Sequence, residues 1–133
     1  MSDGEIRDYC EQAGIELLVR FGSVARGTAR QGSDVDLAVK IMAGRQASKL
    51  DLIYRLGGLF EGREIDLVVL ERDTDPVLLF EVFSRGQLLY EARSGIFDAE
   101  RLRAFKLFYD TGKLRLFRTE YLKKVAQGSK HVA

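Results

Sequence analysis

The sequence predicts an α/β (α+β) chain, a small mixed β-sheet with helices packed against it and a C-terminal helical extension, from three observations. Short strand-like apolar runs occur at 15–21, 34–42 and 63–70, longer segments between and after them carry apolar residues at helical spacing, and 133 residues with 46% hydrophobic content and one proline suffice for a real core. Neither an internal repeat nor a low-complexity segment interrupts the pattern, so helices covering a sheet are the simplest way to bury these faces.

Taken in order, residues 3–13 read as a short helix with Cys10 on its buried side, and 15–21 as a strand. Residues 23–29 read as a helical turn that Ser23 can cap. The next strand is 34–42. Gln46 to Phe60 places Leu50, Ile53, Tyr54, Leu56 and Leu59 at helical spacing and is closed by Gly57, Gly58 and Gly62. Strand 63–70 follows, Pro76 starts a helix running to about Ser84, and Gln87 to Glu91 reads as a short edge strand. Phe97 to Val125 is helical, with a bend or break near Gly112. Its Tyr109 and Tyr121, like Tyr90 before them, have apolar neighbours and read as packing residues. The expected organisation is one domain over 1–133, with a core of about 1–93 and a helical segment of about 94–127.

One cysteine excludes an intramolecular disulfide, and no uncharged apolar stretch approaches the ~20 residues of a membrane span. The start, Met-Ser-Asp-Gly-Glu, lacks the apolar core of a signal peptide, so a cytoplasmic location is expected. His131, the only histidine, sits near the terminus and is a poor catalytic candidate.

The chemistry concentrates at Gly22-Ser23 and, ten residues later, Asp34-Val35-Asp36. Alternation along a strand sends Asp34 and Asp36 to one face and Val35, Leu37 and Val39 to the other. Side-by-side carboxylates repel, which favours a protonated form unless a divalent cation lies between them. Hard Mg²⁺ suits such oxygens, and no cluster of soft ligands competes. In the later strand, Ile65, Leu67 and Val69 form a buried face and Asp66 interrupts the other. If the two strands are neighbours, three carboxylates converge, enough to hold two metal ions roughly 3.5–4 Å apart for in-line displacement at phosphorus. Asp66 is then the candidate general base. Gly22 allows close backbone approach to a ligand, while Ser23 and the amides after it can hold phosphate oxygens, with Arg26 or Arg30 adding a charged fork. Arg20 and Lys40 read equally as lining this site and as solvated strand ends. Together these features point to nucleotidyl transfer.

The stretch Gly22-Ser23-Val24-Ala25-Arg26-Gly27, then Ser33-Asp34-Val35-Asp36-Leu37, with Asp66 on a later strand, resembles the DNA polymerase β nucleotidyltransferase superfamily, and the short length resembles its minimal nucleotidyltransferases. No motif position departs from that pattern. The resemblance implies a polymerase-β-like fold, catalytic and metal-binding Asp34, Asp36 and Asp66, nucleotide contacts from Gly22, Ser23 and Arg26, two Mg²⁺ ions, and ATP as co-substrate.

Charge is uneven. Residues 101–133 hold nine Lys or Arg against Asp110 and Glu120, a net +7, so the +1 of the whole chain leaves −6 for residues 1–100. The basic segment also carries Phe105, Leu107, Phe108, Leu114, Leu116, Phe117 and Tyr121, more than one helix can bury on a small domain, which suggests a partner surface. Proteins of the resembled kind pair with an all-helical HEPN RNase toxin and act as its antitoxin, some by transferring AMP to a toxin tyrosine. That resemblance therefore implies a protein acceptor. The alternatives are a non-catalytic antitoxin acting by stoichiometric binding, or transfer to a small molecule or RNA; direct RNA binding is not favoured.

Overall fold

The computed structural model describes residues 3–22 and 34–131. Helix α1 (Asp3–Ala13) ends at Gly14, whose φ of 75° turns the chain into strand β1 (Ile15–Phe21). Strand β2 (Val35–Ile41) precedes helix α2 (Lys49–Leu59). The helix begins three residues later than its apolar spacing suggested, because Ser48 is the cap: its Oγ accepts from the Asp51 amide at 3.3 Å. Strand β3 (Ile65–Val69) leads to helix α3 (Pro76–Arg85), where Asp75 Oδ1 accepts from the Val77 amide at 2.7 Å and Pro76 fills the first turn. Strand β4 (Gln87–Glu91) is followed by helices α4 (Ile96–Asp110) and α5 (Gly112–His131). The expected helical turn at 23–29 lies outside the described residues.

The four strands are ordered β3-β2-β1-β4, with β1 antiparallel to both neighbours and β2 parallel to β3. The parallel pair needs a crossover, which α2 supplies. Alternation then divides the sheet into two apolar faces. Leu18, Val35, Leu37, Val39 and Leu67 pack with Ile6 and Cys10 of α1 and with Leu52 and Leu56 of α2. On the other face Leu17, Val19, Phe21 and Ala38 meet Leu79, Val82 and Phe83 of α3 and Ala104 of α4. Helix α4 is anchored at its start by Glu91, whose carboxylate accepts from the amides of Gly95 (3.2 Å) and Phe97 (2.9 Å). Its other end closes where a break was expected. There Thr111 Oγ1 donates to the Leu107 carbonyl at 2.8 Å, and Arg115 stacks 4.2 Å from the Phe108 ring centroid while donating to the Phe108 carbonyl at 2.7 Å.

Two tyrosines depart from expectation. Tyr109 and Tyr121 are 72% and 58% exposed, because they lie on faces of α4 and α5 that no other described element covers. Residues 118–126 of α5 are exposed throughout. No described helix is long and apolar enough to cross a membrane.

Two glycines respond oppositely to a methyl group. A Cβ on Gly86 lies 2.7 Å from Val19 Cγ1 and overlaps the Val82 carbonyl oxygen, so Gly86→Ala forces β4 and α3 off β1 and should cost about 1–3 kcal/mol. Gly58, inside α2, faces open space, and Gly58→Ala should stabilise by about 0.5–1 kcal/mol. Urea denaturation midpoints of both variants against the parent check the opposite signs.

Candidate functional site

Register assembles the site. Phe21 at the end of β1 pairs with Asp36, and Asp36 pairs with Asp66 across the parallel β2–β3 ladder. Directly opposed residues share a face. Both carboxylates therefore project on the side of Phe21 and Ala38, at the end of the sheet where β1 stops and β2 and β3 begin. The apolar residues between them, Val35, Leu37, Ile65 and Leu67, are committed to the opposite core. The neighbouring-strand arrangement anticipated for Asp36 and Asp66 is thus present. Asp34 is exposed and immediately precedes β2.

Gly22 belongs to this end for a steric reason as well as a conformational one. Its φ is 77°, and a Cβ built on it would overlap Asp36 Oδ2 and lie 3.0 Å from Asp36 Cγ. The backbone after β1 thus lies directly against the Asp36 carboxylate. Ser23 and Arg26, and with them the expected phosphate grip, lie outside the described residues.

Electrostatics mark Asp36 as the stressed member. Burial pushes its carboxyl above the usual range, and the Asp66 carboxyl raises it further by repulsion and by hydrogen bonding to the protonated form; Asp34 and Glu81 add smaller repulsions. Glu81 was not anticipated from sequence. It is an exposed residue of α3, brought near by the packing of Leu79, Val82 and Phe83 against the sheet, and no local signal in the sequence reports that approach.

The donor set is chemically suited to a hard divalent cation: all oxygens, like-charged, with Asp36 destabilised in its ionised form. Among the described residues no group of three or more His, Cys, Asp or Glu stands at ligating spacing. The assembled element is therefore the Asp36–Asp66 pair, and Asp34, outside the ladder, is not locked beside it by strand register. Lys40, the other end of β2, is held by Glu100 at 3.0 Å and Glu16 at 3.4 Å and serves the fold rather than this site.

The family model for polymerase beta, nucleotidyltransferase, matches residues 4–94. No curated protein matches the chain. Among solved structures, a toxin-antitoxin with AMP-PNP superposes with a TM-score of 0.69 at 21% identity, covering 94% of this chain and 98% of that one. The MntA-HepT toxin-antitoxin gives 0.62 at 19%, covering 92% and 95%. A tri-AMPylated Shewanella oneidensis HEPN toxin in complex with MNT antitoxin gives 0.62 at 19%, covering 92% and 94%. At these identities the likeness shows a shared fold.

The raised Asp36 carboxyl has a signed consequence for metal-free protein. The folded state holds its proton more tightly than the unfolded chain, so the cost of the ionised carboxylate is absent below the ordinary carboxylate range, grows as pH rises from that range to the raised value, and is full above it. Asp36→Asn should therefore melt higher than the parent at pH 7 in the presence of a chelator, and the difference should shrink toward zero at acid pH. Melting curves across pH check it; a lower melting temperature for the variant at pH 7 contradicts the repulsion.

Proposed function

This chain belongs to the polymerase β nucleotidyltransferase family, and on that premise we propose that it transfers AMP from ATP to a hydroxyl of a protein acceptor, a tyrosine of a HEPN RNase toxin, and so acts as the antitoxin. The observation that carries the reading is the Asp36–Asp66 register pair, whose Asp36 carboxylate lies against the Gly22 backbone. The acceptor is argued from two similar structures, one a toxin-antitoxin with AMP-PNP and one a tri-AMPylated HEPN toxin in complex with MNT antitoxin.

In this reaction the acceptor oxygen attacks the α-phosphorus, the bond to the bridging oxygen of the β-phosphate breaks, and pyrophosphate leaves. Asp66, on the edge strand β3, receives the hydroxyl proton. Asp36, flanked by Phe21 and Asp66, fixes the geometry in which attacking and leaving oxygens are in line. Gly22 lets backbone amides reach the phosphates, joined by Ser23 and Arg26. Asp36 and Asp66, with Asp34 completing the set, would hold Mg²⁺, two ions in the full arrangement, which supplies charge neutralisation of the triphosphate and acidifies the acceptor hydroxyl.

Two experiments follow. Asp66→Asn should bind the toxin but lose at least about 100-fold in transfer rate, the range of a lost general base; the readout is mass gain of the toxin in adenylyl increments with ATP and Mg²⁺, alongside residual RNase activity from sub-stoichiometric to equimolar ratios. Protection by Asp66→Asn equal to the parent at every ratio would replace modification by stoichiometric binding. Gly22→Val should abolish transfer, since its side chain collides with the Asp36 carboxylate and occupies the path of the phosphates.

A further inference from the structure

Three residues lie in one row across the sheet: Phe21 of β1 pairs with Asp36 of β2, which pairs with Asp66 of β3. With the phosphates gripped beside Gly22 on the β1 side and the proton taken by Asp66, in-line displacement has the leaving oxygen face β1 and the attacking oxygen arrive from β3. Beyond β3 the sheet ends. The acceptor therefore reaches the site across a strand edge.

That edge is laid out for a further strand. The Val35 amide donates to the Glu64 carbonyl at 2.9 Å and the Leu70 amide to the Val39 carbonyl at 2.7 Å. Parallel alternation then turns the amides and carbonyls of Asp66 and Val68 toward β2, and those of Ile65, Leu67 and Val69 outward. Among the described residues no backbone group bonds to that outward set. The strand carries neither the lysine nor the proline that commonly guards an edge, and its register with β2 has no bulge.

A strand added here divides its side chains between two surroundings. One set lies on the side of Ile65, where a cleft of about 690 Å³ between α2 and β3 is lined by Ile53, Tyr54, Gly57 and Gly58. A Cβ on Gly58 would meet nothing, so packing does not require that glycine, and its missing side chain leaves the cleft open. The other set faces Asp66, where Asp36 and Glu81 add negative charge. A tyrosine across from Val68 is diagonal to Asp66, a separation that an aromatic side chain spans.

We propose that the acceptor tyrosine lies in an extended polypeptide segment that adds to β3 as a further strand, with apolar residues flanking it in the α2–β3 cleft and basic residues on its own face. The proposal rests on the nucleotidyl-transfer reading above. In a helical toxin the segment is a tail or a connection between helices, because the backbone groups of a helix are already paired.

The test gives the full chain ATP, Mg²⁺ and the peptide acetyl-Val-Lys-Val-Tyr-Val-Lys-Val-amide, with N-acetyltyrosinamide as control acceptor, and follows adenylyl mass gain. The peptide should be used with a kcat/KM at least about tenfold above the control, from hydrogen bonds and apolar contacts that the control lacks. Alternate amides of an added strand face β3, so N-methylation of one alternating set, either the two lysines with the tyrosine or the valines, should cost about fivefold or more. Methylation of the other set should change the rate by less than about twofold. Gly58→Leu, which fills the cleft, should raise KM for the peptide about fivefold or more and leave KM for ATP within about twofold. A peptide no better than the control, equal effects of the two methylated sets, or an unchanged peptide KM in a folded Gly58→Leu overturns strand addition. The methylated peptides need no variant and decide the matter should Gly58→Leu fold poorly. Failure here with the toxin still adenylylated leaves the nucleotidyl-transfer reading standing, whereas a parent protein that adenylylates neither toxin nor peptide removes that reading itself.

Discussion

Two like charges held side by side by a parallel β-ladder are the constraint on which the rest of this structure turns. Asp36 and Asp66 are register partners, so neither can withdraw without dismantling the pairing of β2 with β3. That pairing is secured on the other face, where Val35, Leu37, Val39 and Leu67 are buried against α1 and α2. A one-residue slip would exchange the carboxylates with these apolar side chains and place charge in the core. The hydrophobic core thus holds the repulsion in place, and the energy stored in it is what a cation can release.

The surrounding elements sharpen this arrangement. Gly22 brings the end of β1 into contact with the Asp36 carboxylate, at a position where both the backbone angle and the available space exclude a side chain. Helix α3 caps the carboxylate face and adds the charge of Glu81. On the other face of the sheet, Arg20 lies with its guanidinium 5.4 Å from the Phe60 ring centroid and Arg63 nearby.

Much of this was legible from residue order because its causes are local. Strand period placed Asp66 opposite the buried Ile65, Leu67 and Val69, and Ser48, Pro76 and Gly14 mark element ends by capping and backbone chemistry. The pairing of Asp36 with Asp66 could be stated only as a condition, since strand neighbours separated by a crossover helix depend on long-range packing. Glu81 and the Arg20–Phe60–Arg63 cluster escaped for the same reason: each is created when distant segments meet. Tyr109 and Tyr121 were misassigned to packing because apolar neighbours in sequence do not say which face of a helix meets another element. The C-terminal excess of apolar and basic residues was visible at once, and α5 carries its exposed share of them.

The carboxyl carbon of Asp36, followed by NMR through a pH titration with and without Mg²⁺, tests the central claim most directly. The account predicts a titration above the ordinary carboxylate range in metal-free protein, moving sharply downward when Mg²⁺ is added, and in metal-free Asp66→Asn a titration lower than the parent's but still above the ordinary range, since burial remains. An Asp36 that titrates in the ordinary range and ignores both Mg²⁺ and the loss of Asp66 would contradict it.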